Sequence, residues 1–101
     1  MTRAARIAPL LLPDRTPPAT FERARAAARD LGWRVAAEVP QDGRIEATAT
    51  TLLFGFQDDV VVRIAAQGAG SRVDVRSASR IGGSDFGVNA ARVRAFLDRL
   101  R

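Results

Sequence analysis

Apolar positions change their spacing twice along this chain, and each change marks an element. Phe21, Ala24, Ala28 and Leu31 recur at helical spacing, with Glu22, Arg23, Arg25, Arg29 and Asp30 on the remaining faces. The pattern predicts an amphipathic helix, capped at Thr16 before Pro17 or at Thr20 before Phe21 and stopped by Gly32. At Trp33 the period drops to two. Trp33, Val35, Ala37 and Val39 alternate with Arg34, Ala36 and Glu38, which predicts a strand that Pro40 ends. In "PQDGR" the Asp42-Gly43 pair is of the kind that two-residue hairpins favour.

A second strand is predicted from Arg44 to about Phe56. It sets Ile45, Ala47, Ala49, Thr51 and Leu53 on one face and Glu46, Thr48, Thr50, Leu52, Phe54 and Phe56 on the other, with Gly55 read as a bulge. After a turn at Gln57 to Asp59, a third strand separates Val60, Val62 and Ile64 from Val61, Arg63 and Ala65, and "AQGAGS" closes the next hairpin. The fourth strand, Arg72 to Ile81, turns Val73, Val75, Ser77, Ser79 and Ile81 inward, and Arg72, Asp74, Arg76, Ala78 and Arg80 outward. Gly82-Gly83 breaks it. Ser84 then caps a last helix whose stripe is Phe86, Ala90, Val93, Leu97 and Leu100.

Short hairpin connections make the four strands an antiparallel meander, and two apolar helix stripes need one sheet face to cover. The expected fold is therefore a two-layer α+β domain of order α-β-β-β-β-α, with an N-terminal and a C-terminal helix packed on one face. Residues 1–18 carry Pro13, Pro17 and Pro18 after a leucine triplet, and read as an extended arm whose leucines dock on the domain formed by residues 19–101. A chain of 101 residues has room for one core. The first and fourth strands are the expected free edges, through which two copies would pair.

Composition narrows the chemistry. Apolar residues are 47% and charged residues 27%, the balance of a folded, water-soluble unit. Cysteine and histidine are absent, which removes disulfides, thiolate nucleophiles, imidazole acid-base pairs and most zinc or haem sites. Carboxylate or hydroxyl chemistry, oxygen-ligand metals or binding without chemistry remain, and no cofactor is expected. The net charge is +5 and all sixteen basic residues are arginine. A uniform preference for arginine reduces the weight of any one arginine as a sign of anion recognition. The run "IAPLLLP" is too short to span a bilayer, and nothing in the sequence has the form of a secretory signal, so the default expectation is the cytoplasm.

"GRIEATATTLLFGFQDDVVVRI" and "VDVRSASRIGGSDFGVNAARVRAFL" resemble the bacterial and plastid domain-of-unknown-function family 1499. The likeness runs from about Phe21 to Leu97. It includes "LGW" at Leu31, "IEAT" at Ile45, "DDVVVR" at Asp58 and a "VRSxSRxGxSDxGxNxxR" pattern ending at Arg92. The resemblance implies a domain, and brings no activity or ligand with it.

Two groups of residues are candidates for a site. Glu46, Thr48, Thr50, Arg63, Asp74, Arg76 and Arg80 should share the outward sheet face, with Phe54 and Phe56 at one end. Such a face suits a small anionic ligand or a protein partner, and an arginine-carboxylate lattice is also what an exposed antiparallel sheet ordinarily displays. Asp85, Asn89 and Arg92 fall on one face of the last helix and reach toward Ser77, Ser79 and Arg80, forming a polar network at the helix-sheet seam. "RIGGSD" reads as a strand-to-helix turn rather than a phosphate cradle, because Asp85 would repel an anion there. Asp58 and Asp59 read as turn residues. The expected function is a small binding or interaction domain on the arginine-rich sheet face. The alternative is a carboxylate-dependent or metal-assisted hydrolase using Asp58, Asp59 and Asp74. Nucleic acid ranks below both, given the interspersed acids and six aromatics.

Overall fold

A computed structural model describes residues 4–51, 55–80 and 86–101. Along the chain run β1 (Ala4–Arg6), β2 (Leu10–Leu12), α1 (Pro17–Asp30), β3 (Arg34–Val39), β4 (Arg44–Thr50), β5 (Gln57–Gln67), β6 (Gly70–Ser79) and α2 (Phe86–Leu100). The strands form one antiparallel sheet of order β1-β6-β5-β4-β3, with β2 also paired to β6. The class is the expected α+β, and β3 to β6 are the expected meander. Among the described residues no helix is long and apolar enough to cross a membrane.

The arm adds two short strands to that meander. Leu10 stands opposite Val73 and Leu12 opposite Ser71, while Ala4 to Arg6 run beside Arg76 to Ala78. The β6 edge expected to be free is thus occupied by the chain's own N-terminal residues, which remove its unpaired backbone groups from other chains. Leu10 is buried and Leu11 turns out to solvent.

Thr16 caps α1, its hydroxyl accepting from the Ala19 amide, and Gly32 ends the helix in a left-handed conformation. Thr20 is no cap. It is buried and donates to the Ser71 hydroxyl at 3.0 Å, which in turn donates to the Arg15 carbonyl at 2.7 Å. Arg15 also donates to the Leu100 carbonyl, so the arm, both helices and β6 meet at one corner. The core is the inner sheet face, Ile45, Ala47, Ala49, Val60, Val62, Ile64, Val73 and Val75, covered by Phe21, Ala24 and Ala28 of α1 and Val93, Leu97 and Leu100 of α2. Phe96, outside the predicted stripe, is fully buried and stacks on Trp33 with ring centroids 5.0 Å apart.

Four local readings differ from expectation. The bulge lies in β3 at Ala36, because Val35 faces Ala47 whereas Ala37 faces Glu46. The slip reverses the phase of the strand. Glu38 then stands opposite Ile45 on the helix side, where Arg25 reaches it at 3.1 Å and Arg29 at 3.8 Å. Hydrogen bonding to Glu38, helped by Glu22, raises the Arg25 pKa above its ordinary value. Gly55 belongs to a turn, in which Thr51 accepts from the Phe56 amide at 2.9 Å, and β4 ends at Thr50. Asp58 and Asp59 are strand residues of β5, not turn residues. The "PQD" segment makes a short 3-10 turn, with Gly43 left-handed and its carbonyl accepting from the Ile64 amide at 2.7 Å. Predicted roles for Leu52, Leu53, Phe54, Ile81, Gly82, Gly83, Ser84 and the Phe86 side chain fall outside the described residues.

Gly70 carries the approach of the arm to β6, because a Cβ there would lie 2.2 Å from the Leu12 carbonyl oxygen and 2.5 Å from the Pro13 Cα. Gly70→Ala should lift β2 off the sheet and lower amide-exchange protection at Leu10 to Leu12, while β4 and β5 keep theirs. Unchanged protection of β2 would show that the arm does not depend on that close approach.

Candidate functional site

The sheet itself divides the candidate residues. Period-two alternation sends Ser77 and Ser79 to the buried face of β6 and Arg72, Asp74, Arg76 and Arg80 toward the other. One polar group therefore sits under α2, and a second lies on the open face.

Under α2, the Ser77 hydroxyl donates to Asn89 Oδ1 at 2.7 Å, and Asn89 Nδ2 donates to the Ser79 hydroxyl at 3.0 Å. Arg92 donates to Asn89 Oδ1 at 2.9 Å, to Ser77 Oγ at 3.1 Å and to Asp58 Oδ2 at 2.7 Å. Asp58 and Asn89 are fully buried, and the Arg92 side chain is 12% exposed. The expected hydrogen bonds among Ser77, Ser79, Asn89 and Arg92 therefore form, and Asp58, a strand residue rather than a turn residue, joins them through Arg92. Arg80 is not part of this network, and Asp85 lies outside the described residues. Asp58 Oδ1 is buried without a hydrogen-bond partner among the described residues. The sequence did contain the signal for Asp58: it shares parity with Val60, Val62 and Ile64, so starting the third strand two residues earlier puts it on the core face.

On the open face, acids and arginines pair selectively. Arg44 is held by Asp42 at 3.4 Å and Glu46 at 3.0 Å, Arg72 by Asp74 at 3.2 Å, and Arg80 by Asp59 at 2.9 Å. Arg80 also donates to Thr48 and Gln57, and its hydrogen bond to Asp59 raises its pKa above the ordinary value. The side chains of Arg63 and Arg76 have neither an ion pair nor a hydrogen bond among the described residues, and neither does that of Arg34 at the β3 edge. Asp74 stands directly opposite Arg63 in register, yet its carboxylate turns to Arg72. Arg63 and Arg76 flank Val61 on neighbouring strands, and with Asp74 and Val75 they line a shallow depression of about 230 Å³. Phe56 lies in the turn ahead of β5, and the described strands put no aromatic ring on this face.

The three carboxylates of the hydrolase alternative do not converge. Asp58 is buried against Arg92, whereas Asp59 is exposed on the opposite face beside Arg80 and Asp74 is held by Arg72 one strand away. Among the described residues no three Asp or Glu side chains are grouped to hold a metal ion.

Two helices on one face of an antiparallel sheet, clasped by a buried polar network, define a small two-layer α+β domain with one sheet face left open. The chain belongs to the family described as "Protein of unknown function (DUF1499)", whose model matches residues 2–100. Comparison with curated proteins finds no match. Asp58, Ser77, Ser79, Asn89 and Arg92, all within the motifs on which the resemblance was read, meet in the network under α2.

Removing one partner of a buried ion pair leaves the other charged and desolvated, at a cost of about 3–5 kcal/mol. Asp58→Ala and Arg92→Ala should each lower unfolding stability by about that amount, measured by chemical denaturation. The double variant Asp58→Val, Arg92→Leu should recover most of the loss. Single-variant losses below about 1 kcal/mol would show that the pair does not fasten α2.

Proposed function

We propose that this domain is a binding module that holds an anionic group on its open sheet face, with Arg63 and Arg76 as the contacting cations. The observation that carries this reading is the selective pairing on that face. Its acids Glu46, Asp59 and Asp74 are engaged by Arg44, Arg80 and Arg72, and of the arginines on this face without an ion pair, Arg63 and Arg76 line one depression together while Arg34 stands apart on β3. Arginine's planar fork suits carboxylate, phosphate and sulfate oxygens, and two neighbouring forks suit them better than one.

On the opposite layer of the molecule, too, only some arginines are paired. On the helices Arg25 and Arg29 meet Glu38 and Arg99 meets Asp30, and Arg101 just past α2 meets Asp98, whereas Arg23 and Arg94 form no ion pair among the described residues. What sets Arg63 and Arg76 apart is that they line one depression together, beside an Asp74 carboxylate that is turned to Arg72. Extended nucleic acid fits this face poorly, because stacking platforms are missing from the described strands and each engaged acid would repel a continuous phosphate backbone.

Calorimetric titration with phosphate, sulfate and citrate should show saturable binding of at least one of these anions, weakening with added salt. Arg63→Ala combined with Arg76→Ala should reduce that affinity by about tenfold or more. Because both side chains are exposed and form no ion pair or hydrogen bond among the described residues, the melting temperature should move by no more than about 4 °C. Equal anion binding by the variant, or its unfolding, would contradict the assignment.

A further inference from the structure

The depression offers more than positive charge. Its wall includes Asp74, opposite Arg63 across the β5-β6 ladder and two residues from Arg76 on the same face of β6. Only Asp74 Oδ2 is engaged, by Arg72 Nε at 3.2 Å, and its side chain remains 34% exposed. A carboxylate between two arginines repels a bare anion. It favours an anion that brings its own hydrogen-bond donor, because the donor meets an ionised acceptor while the acid group meets the guanidinium forks.

From this juxtaposition, and resting on the anion-binding reading above, we infer that the ligand is a small phosphate monoester bearing a hydroxyl group close to its phosphate. Charge selects the monoester. With Asp74 balanced by Arg72, Arg63 and Arg76 contribute two positive charges, and a phosphate monoester carries about −1.5 to −2 at neutral pH. Size selects a small molecule, since about 230 Å³ falls below the roughly 300–1,000 Å³ of pockets for drug-sized ligands. Half-buried Val61 supplies an aliphatic floor suited to the short carbon chain that joins phosphate to hydroxyl. The phosphate would lie between Arg63 and Arg76, and the hydroxyl would donate to Asp74.

The test uses the intact protein and three soluble probes: glycerol 3-phosphate, ethyl phosphate and inorganic phosphate. Glycerol 3-phosphate should bind about tenfold more tightly than ethyl phosphate, the return from one hydrogen bond to a charged acceptor. Asp74→Ala should bring that ratio close to one, and reading a ratio cancels the general gain in anion affinity from releasing Arg72. Vesicles containing phosphatidylglycerol present a singly charged phosphodiester and attract a chain of net charge +5 by charge alone, so their retention should fade with added salt and be no weaker in Asp74→Ala. Equal affinity for glycerol 3-phosphate and ethyl phosphate, or a ratio untouched by Asp74→Ala, would overturn the hydroxyl requirement and leave the anion site standing. Vesicle retention without binding of the soluble ester would overturn the small-molecule assignment. No binding of any of the three probes would overturn the phosphate class, and with citrate and sulfate also unbound the anion-binding reading falls too.

Discussion

The rest of the structure depends on one buried charge pair, Arg92 with Asp58, 2.7 Å apart under the start of α2. An unpaired charge in a domain interior costs several kcal/mol, a large share of the roughly 5–15 kcal/mol that holds an ordinary domain together. The helix therefore has one acceptable seating on the sheet, the one that brings Arg92 to Asp58 while Asn89 reaches Ser77 and Ser79. Apolar contacts alone would leave a stripe of Val93, Phe96, Leu97 and Leu100 freer to slide, because hydrophobic burial is non-directional. The polar clasp supplies the direction.

Seating both helices on one face leaves the other face of the sheet open, and charge is distributed accordingly. Arg25, Arg29, Arg99 and Arg101 meet Glu22, Asp30, Glu38 and Asp98, while Arg63 and Arg76 form no ion pair among the described residues and line one depression on the open face. Two groups of arginine that look alike in the sequence thus carry different work: Arg92 holds the fold, and Arg63 with Arg76 faces a ligand in the reading proposed above.

Much of the fold was legible in the sequence because its signals are local and agree with one another. The alternation of Val60, Val62 and Ile64, the valines of β6 and the stripe of α1 all lead to the observed faces. What escaped depends on distant partners. The β3 bulge at Ala36 turns Glu38 toward Arg25 and Arg29, partners that no window of β3 contains. Asp58 looked like a turn residue because acids at strand ends usually are, and only its partner on α2, 34 positions away, makes a buried carboxylate tolerable. The arm's pairing with β6 is likewise long-range. As for the site, the sequence drew one candidate list that included Glu46, Arg63, Asp74, Arg76, Ser77, Ser79, Arg80, Asn89 and Arg92. Strand alternation already separates that list into two faces, and the inner set, Ser77, Ser79, Asn89 and Arg92, is hydrogen-bonded together under α2.

The central claim is this separation of a structural arginine from a pair of binding arginines. It is read most directly from the side-chain Nε–H resonances of arginine during titration with inorganic phosphate. The account predicts saturable shifts at Arg63 and Arg76 while Arg92 stays still. Shifts at Arg92 and the Asn89 side-chain amide, with Arg63 and Arg76 unmoved, would contradict it and place the site beneath α2.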